Sequence, residues 1–428
     1  MLSRVARLFF LIALSVAMIN CGGNSNSGSS SNNSGGSTTP GGSNPGGTGT
    51  GGGTGTGGGT GTGGGQQSSG NYVYAATVAG NGTLIGYKVS ETGTFTALAN
   101  LNSPQQLRTD QLTATPDGRF LYSIQNPCYL VTNCPGTGTN TLYVQTIAAD
   151  GTLGAPAQAL AGTDVIQIMI SPSSKWAFVL SSPATNTVSI HSINADGTLG
   201  AQTGSVQLPM PSEQGNPFST LSGISPGNTT LWVAEEIAYR GGSVPNLIAV
   251  QYDANTGAVL NTVINGFANQ NELESVAVTG TMVVTAEATQ WTWIQPNTVT
   301  TYNQADMNLL QRCSGTTTPA CNQTIALLAH PTLSVVYGQQ ASANGGRAIT
   351  AFKVGTDGSL TTVGNALSYA GAGNTYWAVH PDGTRLVLSR SDQKTITDVA
   401  IDLTTGALTE LGSTTASDKT GAVVIVRK

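Results

Sequence analysis

The 428-residue chain holds 16 Lys and Arg against 21 Asp and Glu, a formal net charge of −5, with only 9% of its residues charged. Positive charge this sparse leaves no basic stripe to neutralise phosphates, which excludes nucleic acid as a partner. Past residue 70 an apolar alternation is sustained to the end, which excludes disorder there despite the low charge.

The chain starts with a targeting segment, residues 1–20. Arg4 and Arg7 form a short basic region before the apolar run Leu8 to Met18, which is too short for a comfortable membrane span and reads as an export signal peptide. Cys21 follows, then Gly22 and Gly23, and this resembles the lipobox of bacterial lipoproteins, which implies cleavage before Cys21 and its lipidation. Met18-Ile19-Asn20 departs from the usual Leu, small residue, Gly or Ala, so plain signal cleavage or an uncleaved anchor is the competing reading. Residues 21–70 are otherwise dominated by Gly, Ser, Thr and Asn, a flexible tether with an end-to-end distance on the order of 40 Å. The expected product is exported and faces the periplasm or cell surface, touching the membrane only through its lipid.

Residues 71–428 repeat one pattern seven times at a period of about fifty residues, in the range of propeller blades. One marker is an Asp-Gly-Thr-Leu turn or a relative, as at Asp150 to Leu153, Asp196 to Leu199 and Asp357 to Leu360. The other is a proline-led turn, as at Pro116-Asp117-Gly118, Pro172-Ser173-Ser174 and Pro381-Asp382-Gly383, replaced once by Thr279-Gly280-Thr281. Gly supplies positive φ and Pro a preset φ, so both read as tight strand connections. Between them lie β-branched and aromatic runs such as Phe120 to Ile124 and Trp176 to Leu180, which read as strands.

Four strands per repeat, A to D, predict an all-β, seven-bladed β-propeller. Strand A ends at the proline turn, B follows it, C precedes the Asp-Gly turn and D follows that. The first repeat begins with a B-like strand, Tyr72 to Ala76, and lacks an A strand. The surplus C-terminal strand Ala422 to Val426 is expected to fill that gap and hide two open edges.

Beyond Cys21 the cysteines form two close pairs, Cys128 with Cys134 and Cys313 with Cys321. Of the three connectivities that four cysteines allow, pairing within each segment suits their proximity and an oxidising compartment. A four-thiolate metal site needs C-x-x-C-like spacing that neither pair has, so no metal site is assigned.

The A-to-B and C-to-D turns of a propeller share one end, and here they are short. The B-to-C and D-to-A connections share the other end and hold most of the irregular sequence: 126–140, 209–217, 237–245, 288–296, 312–322 and 340–346. Long loops on a rigid scaffold usually carry binding, with neutral surface variation as the alternative. Glu235 and Glu236 at the end of strand B in blade 4, Glu272 and Glu274 at the start of strand A in blade 5, and Glu287 at the end of strand B in blade 5 are expected toward this mouth, with Arg240 nearby. Grouped carboxylates could act as a general base or hold a divalent cation; a solvated acidic rim is the competing reading, and no other cofactor is implied. Trp291 and Trp293 form an aromatic loop that could stack on a sugar ring or a partner side chain, or simply plug the blade edges. Trp176, Trp232 and Trp377 fall in strand patterns and read as core. The three histidines give no Ser-His-Asp or Cys-His device: His330 and His380 precede proline turns at the opposite end, and His191 lies within a strand.

Pro116 to Tyr122, the Asp-Gly-Thr-Leu turns and the seven blades together resemble the lactonase family of seven-bladed propellers, typified by 6-phosphogluconolactonase and including a fungal muconate-lactonising relative. The resemblance spans residues 71–428. It implies a glutamate at the end of a B strand, which Glu236 matches, and basic or histidine partners at the start of certain A strands. Thr220 and Leu221, Asp110 and Gln111, and Thr375 and Tyr376 stand at those positions instead, so nothing obvious binds a phosphate or polarises a lactone carbonyl. The expectation is a monomeric, tethered propeller that binds a glycan or a protein. The alternative is a diverged lactone hydrolase using Glu236 with Glu274 or Glu287.

Overall fold

The computed structural model describes residues 70–78, 82–99, 101–126, 140–181, 186–209, 217–224, 228–237, 246–266, 272–288, 298–305, 308–314, 321, 324–341, 346–370 and 375–428. The signal segment, Cys21, the tether up to residue 69, Cys128, Cys134, Arg240, Trp291 and Trp293 lie outside them.

The described strands form seven four-stranded antiparallel sheets, the blades of a β-propeller. Blade 5 shows the plan: Glu272–Thr279, Met282–Ala288, Thr298–Asn303 and Leu309–Ser314 pair in chain order. Its first turn is a two-residue hairpin, in which Gly280 takes φ +52° and Thr279 pairs with Met282, so Thr279-Gly280-Thr281 does the work of the proline turns.

Blade 1 is completed from the far end of the chain. Its strands Asn71–Thr77, Leu84–Val89 and Phe95–Ala97 are joined by Thr420–Arg427, with Val73 opposite Ile425. Gly70 and Lys428 exchange both backbone hydrogen bonds, at 2.8 and 3.0 Å. The closing strand is buried along all but its last residue. It covers an edge that would otherwise offer a row of free backbone donors and acceptors.

Among the described residues there is no single central core. Seven apolar clusters each join two neighbouring blades, because both faces of every blade are packed. This accounts for the near-continuous apolar strands at Tyr72 to Ala76 and Trp176 to Leu180, where strict alternation would mark a half-exposed sheet.

The Asp-Gly turns also tie blades together. The Tyr74 hydroxyl of blade 1 donates to the Gly151 carbonyl of blade 2 at 2.6 Å, Tyr122 of blade 2 to Gly197 of blade 3 at 2.7 Å, and the Trp176 Nε1–H of blade 3 to Ala254 of blade 4 at 2.8 Å. Gly151 has φ +82°, and a Cβ placed there would lie 2.1 Å from the Tyr72 ring, so this turn needs glycine for both backbone and space. Asp150 holds the turn's shape by accepting from the Thr152 amide at 3.0 Å and hydroxyl at 2.7 Å. Those bonds hold the Asp150 carboxyl below its ordinary range.

Candidate functional site

The two ends of the propeller differ in connection length. At the short-turn end the chain reverses tightly between Ala114 and Phe120, Ile170 and Trp176, Thr279 and Met282, and Val379 and Arg385. At the other end it runs from Gln125 to Thr141, from Ile237 to Asn246 and from Ala288 to Thr298 between consecutive strands.

The candidate carboxylates all fall at the ends of strands bordering those long connections. Glu235 and Glu236 close Thr230–Ile237, opposite Ser219 and Phe218, while Glu272 and Glu274 open Glu272–Thr279. Of the set, the side chain of Glu287 is described, and it lies in the junction between blades 4 and 5, 3% exposed. Strand alternation puts Glu287 on one face with Val283 and Thr285, and the cross-strand register adds Thr298, Thr300 and Tyr302 to that face. Val283 and Tyr302 pack on Trp232 and Leu247 of blade 4, so this face looks at the neighbouring blade.

Among the described residues, Thr285, Tyr302 and Arg312 of its own blade tie Glu287 down. Its Oε1 accepts from the Thr285 and Tyr302 hydroxyls, both at 3.1 Å, and its Oε2 lies 3.7 Å from Arg312. Burial pushes the Tyr302 phenol well above its ordinary range, and the Glu287 charge adds to that, so the phenol remains a proton donor. Arg312 is partly exposed and lies on the outermost strand, next to Cys313. The Cys313–Cys321 disulfide, with Cα atoms 6.1 Å apart, clamps that strand to the connection leading into blade 6. Thr285, Tyr302 and Arg312 carry no catalytic signature in sequence; Thr285 alone could be found from its i, i+2 spacing to Glu287. The arrangement is a buried carboxylate cross-bracing strands B, C and D, which leaves its acceptor positions engaged inside the blade.

His191 and His330 are equally engaged. His191 contacts the Gly200 carbonyl through Nδ1 and the Ser189 hydroxyl through Nε2, both at 3.0 Å. His330 accepts the Thr332 and Leu333 amides at Nδ1 and reaches the Gly383 carbonyl at 3.0 Å through Nε2. This pattern fits the neutral ring, and burial lowers the His330 pKa accordingly. His330 and His380 are both buried at the short-turn end, as turn residues. Trp176 and Trp232 are buried and Trp377 packs partly buried beside blade 6. Among the described residues, no group of three or more His, Cys, Asp or Glu is gathered to hold a metal ion.

No protein-family model matches the sequence, and no curated protein matches it. Solved structures share the fold. The chain superposes on a candidate 6-phosphogluconolactonase of Bacteroides uniformis with a TM-score of 0.59 at 16% identity, covering 84% of this chain and 99% of that one. A candidate 6-phosphogluconolactonase of Bacteroides fragilis gives 0.58 at 17% identity over the same shares. The periplasmic gluconolactonase of Pseudomonas aeruginosa gives 0.51 at 15% identity, again over 84% and 99%. At these identities the likeness is one of fold.

Proposed function

We propose that this chain is an exported, lipid-anchored propeller that binds a glycan or a protein ligand on the end carrying the long connections. The observation that carries the reading is the contrast between the ends: short turns interlocked blade to blade on one, and the longest connections on the other. The export signal, Cys21 and the tether of residues 21–70 support an anchored protein that reaches out from its membrane. The engagement of Glu287 by Tyr302, Thr285 and Arg312 favours binding over catalysis, because a general base needs a free acceptor facing the substrate.

A glycan array probed with the full-length chain tests the binding reading. A defined glycan class should bind, with affinity reduced at least about tenfold in a Trp291→Ala, Trp293→Ala variant, the loss expected where stacking aromatics anchor a ligand. An array on which the wild-type chain binds nothing would reject the glycan form of the proposal. Cys21→Ser should move the protein from the membrane to the soluble fraction; unchanged fractionation would reject lipidation.

The fold shared with the Pseudomonas aeruginosa gluconolactonase favours a second reading, hydrolysis of a sugar lactone by Glu236 with Glu274 or Glu287. Turnover of a lactone panel that disappears in Glu236→Gln would establish it and displace the pure binding reading.

A further inference from the structure

At the long-connection end of the junction between blades 6 and 7, two arginines flank one tyrosine. Arg347 opens the strand Arg347–Val354 of blade 6 and is the cross-strand partner of Tyr369, the last residue of Leu360–Tyr369. Arg390 ends the strand Arg385–Arg390 of blade 7, and its guanidinium carbon sits 4.9 Å above the Tyr369 ring centroid. Ile349, Leu367 and Leu388, each two residues away along the same strands, belong to the apolar cluster between these blades.

Nothing among the described residues neutralises these arginines. Arg108, Arg119, Arg312, Arg385 and Arg427 each meet a carboxylate within ion-pair distance, whereas Arg347 and Arg390 meet none. The Nε atoms of both and the Tyr369 hydroxyl are buried without a hydrogen-bond partner. Two exposed acids, Asp392 and Glu410, are close enough for their fields to reach Arg347 and Tyr369 respectively, but neither forms an ion pair there. Burial depresses the Arg347 pKa, as expected of a cation stripped of water and not given an anion in return.

Leaving one buried donor unpaired costs about 1–3 kcal/mol, more when it is charged. Three orphaned groups at one spot, two of them like-charged, call for a missing acceptor. The contact with the Tyr369 ring positions the Arg390 guanidinium, and its Nε–H has no acceptor, so the group is placed to recognise an oxyanion. We propose that the junction of blades 6 and 7 is an anion-binding site in which Arg347 and Arg390 grip a carboxylate or phosphoryl group of the ligand and Tyr369 donates its hydroxyl to it. The site lies on the face used by the binding reading and, by that reading, makes the ligand acidic; its own geometry does not depend on it.

Isothermal titration of the full-length chain with glucuronate, inorganic phosphate and glucose tests the site, and the two anions distinguish a carboxylate from a phosphoryl ligand. At least one anion should bind saturably at one site per chain, glucose should not, and Arg347→Gln and Arg390→Gln should each weaken binding at least about tenfold. Tyr369→Phe removes only a hydroxyl; it should fold normally and weaken binding severalfold, which keeps the test open if either arginine variant misfolds. Failure of both anions to bind, or binding unchanged in the folded variants, overturns the site and leaves the orphaned groups to ordered water. Glycan binding that depends on Trp291 and Trp293 but survives in the arginine variants would retain the binding reading while rejecting this one.

Discussion

Arg385 and Arg390 stand at the two ends of one strand, and they meet opposite fates. Arg385, at the short-turn end, is buried against blade 1: it is bonded to the fully buried Asp398 and donates to the Glu91 carbonyl at 2.6 Å. Arg390, at the long-connection end, stacks on Tyr369 and finds no carboxylate. The first charge ties blade 7 to blade 1, the blade that the C-terminal strand completes. The second is held in place with its Nε–H uncommitted. In a chain so poor in charge, the short-turn end commits its arginine to a neighbouring blade, while the end with the long connections leaves one without a carboxylate partner among the described residues.

The strongest way to break the structural half of the comparison is to open the seam. Truncation before Gly421 removes Val423, Val424, Ile425 and Val426, all buried, and at roughly 1.5–3 kcal/mol each their loss rivals the 5–15 kcal/mol that holds a typical domain together. The truncated chain should show no cooperative melting by circular dichroism.

Arg385→Ala comes next, since it strands a buried carboxylate. A cost of about 3–5 kcal/mol is expected in urea unfolding, and adding Asp398→Asn should recover part of it. The same pair has a pH signature. Burial outweighs the Arg385 charge and pushes Asp398 from 3.8 up to about 6. A carboxyl raised in the folded state makes folding take up a proton, so its contribution is full below about pH 4 and fades as pH rises through about 6. Buried His330 and His380, held neutral, act in the opposite direction as pH falls below about 6.5. The wild type should therefore lose stability relative to Asp398→Asn between pH 4 and 6, and a constant difference across that window would refute the assignment.

Smaller effects sharpen the picture. Gly151→Ala forces a left-handed alanine against Tyr72 and should cost about 2 kcal/mol in chemical unfolding, by loosening one interlock between blades. Cys313→Ser opens a short loop, with a loss of about 2 kcal/mol or less measurable in the same way. Arg390→Gln should be near neutral for stability, because no ion pair is broken.

The fold was legible because its punctuation repeats: the Asp-Gly and proline turns mark strand ends, and the surplus strand at Ala422 to Val426 announced the closure that the structure shows. The pairing of Cys313 with Cys321 followed from proximity. The second role of the Asp-Gly turns was not legible, since Tyr74 and Gly151 meet across 77 residues and only the ring brings them together. Glu287 was found at its strand end, but its burial depends on which blade face it takes, and that face becomes visible only once Thr298, Thr300 and Tyr302 pair beside it and Val283 and Tyr302 pack on the neighbouring blade. Arg347, Tyr369 and Arg390 escaped notice altogether. Their grouping needs a cross-strand pairing in one blade and a stacking contact from the next, and neither leaves a local pattern in sequence.

The most direct test compares the melting temperatures of Arg385→Gln and Arg390→Gln with and without glucuronate or phosphate. Arg385→Gln should melt several degrees lower and keep the anion-induced rise, while Arg390→Gln should melt with the wild type and lose that rise. Equal melting losses in the two variants, or an anion-induced rise that survives in Arg390→Gln, would contradict the contrast between these two arginines.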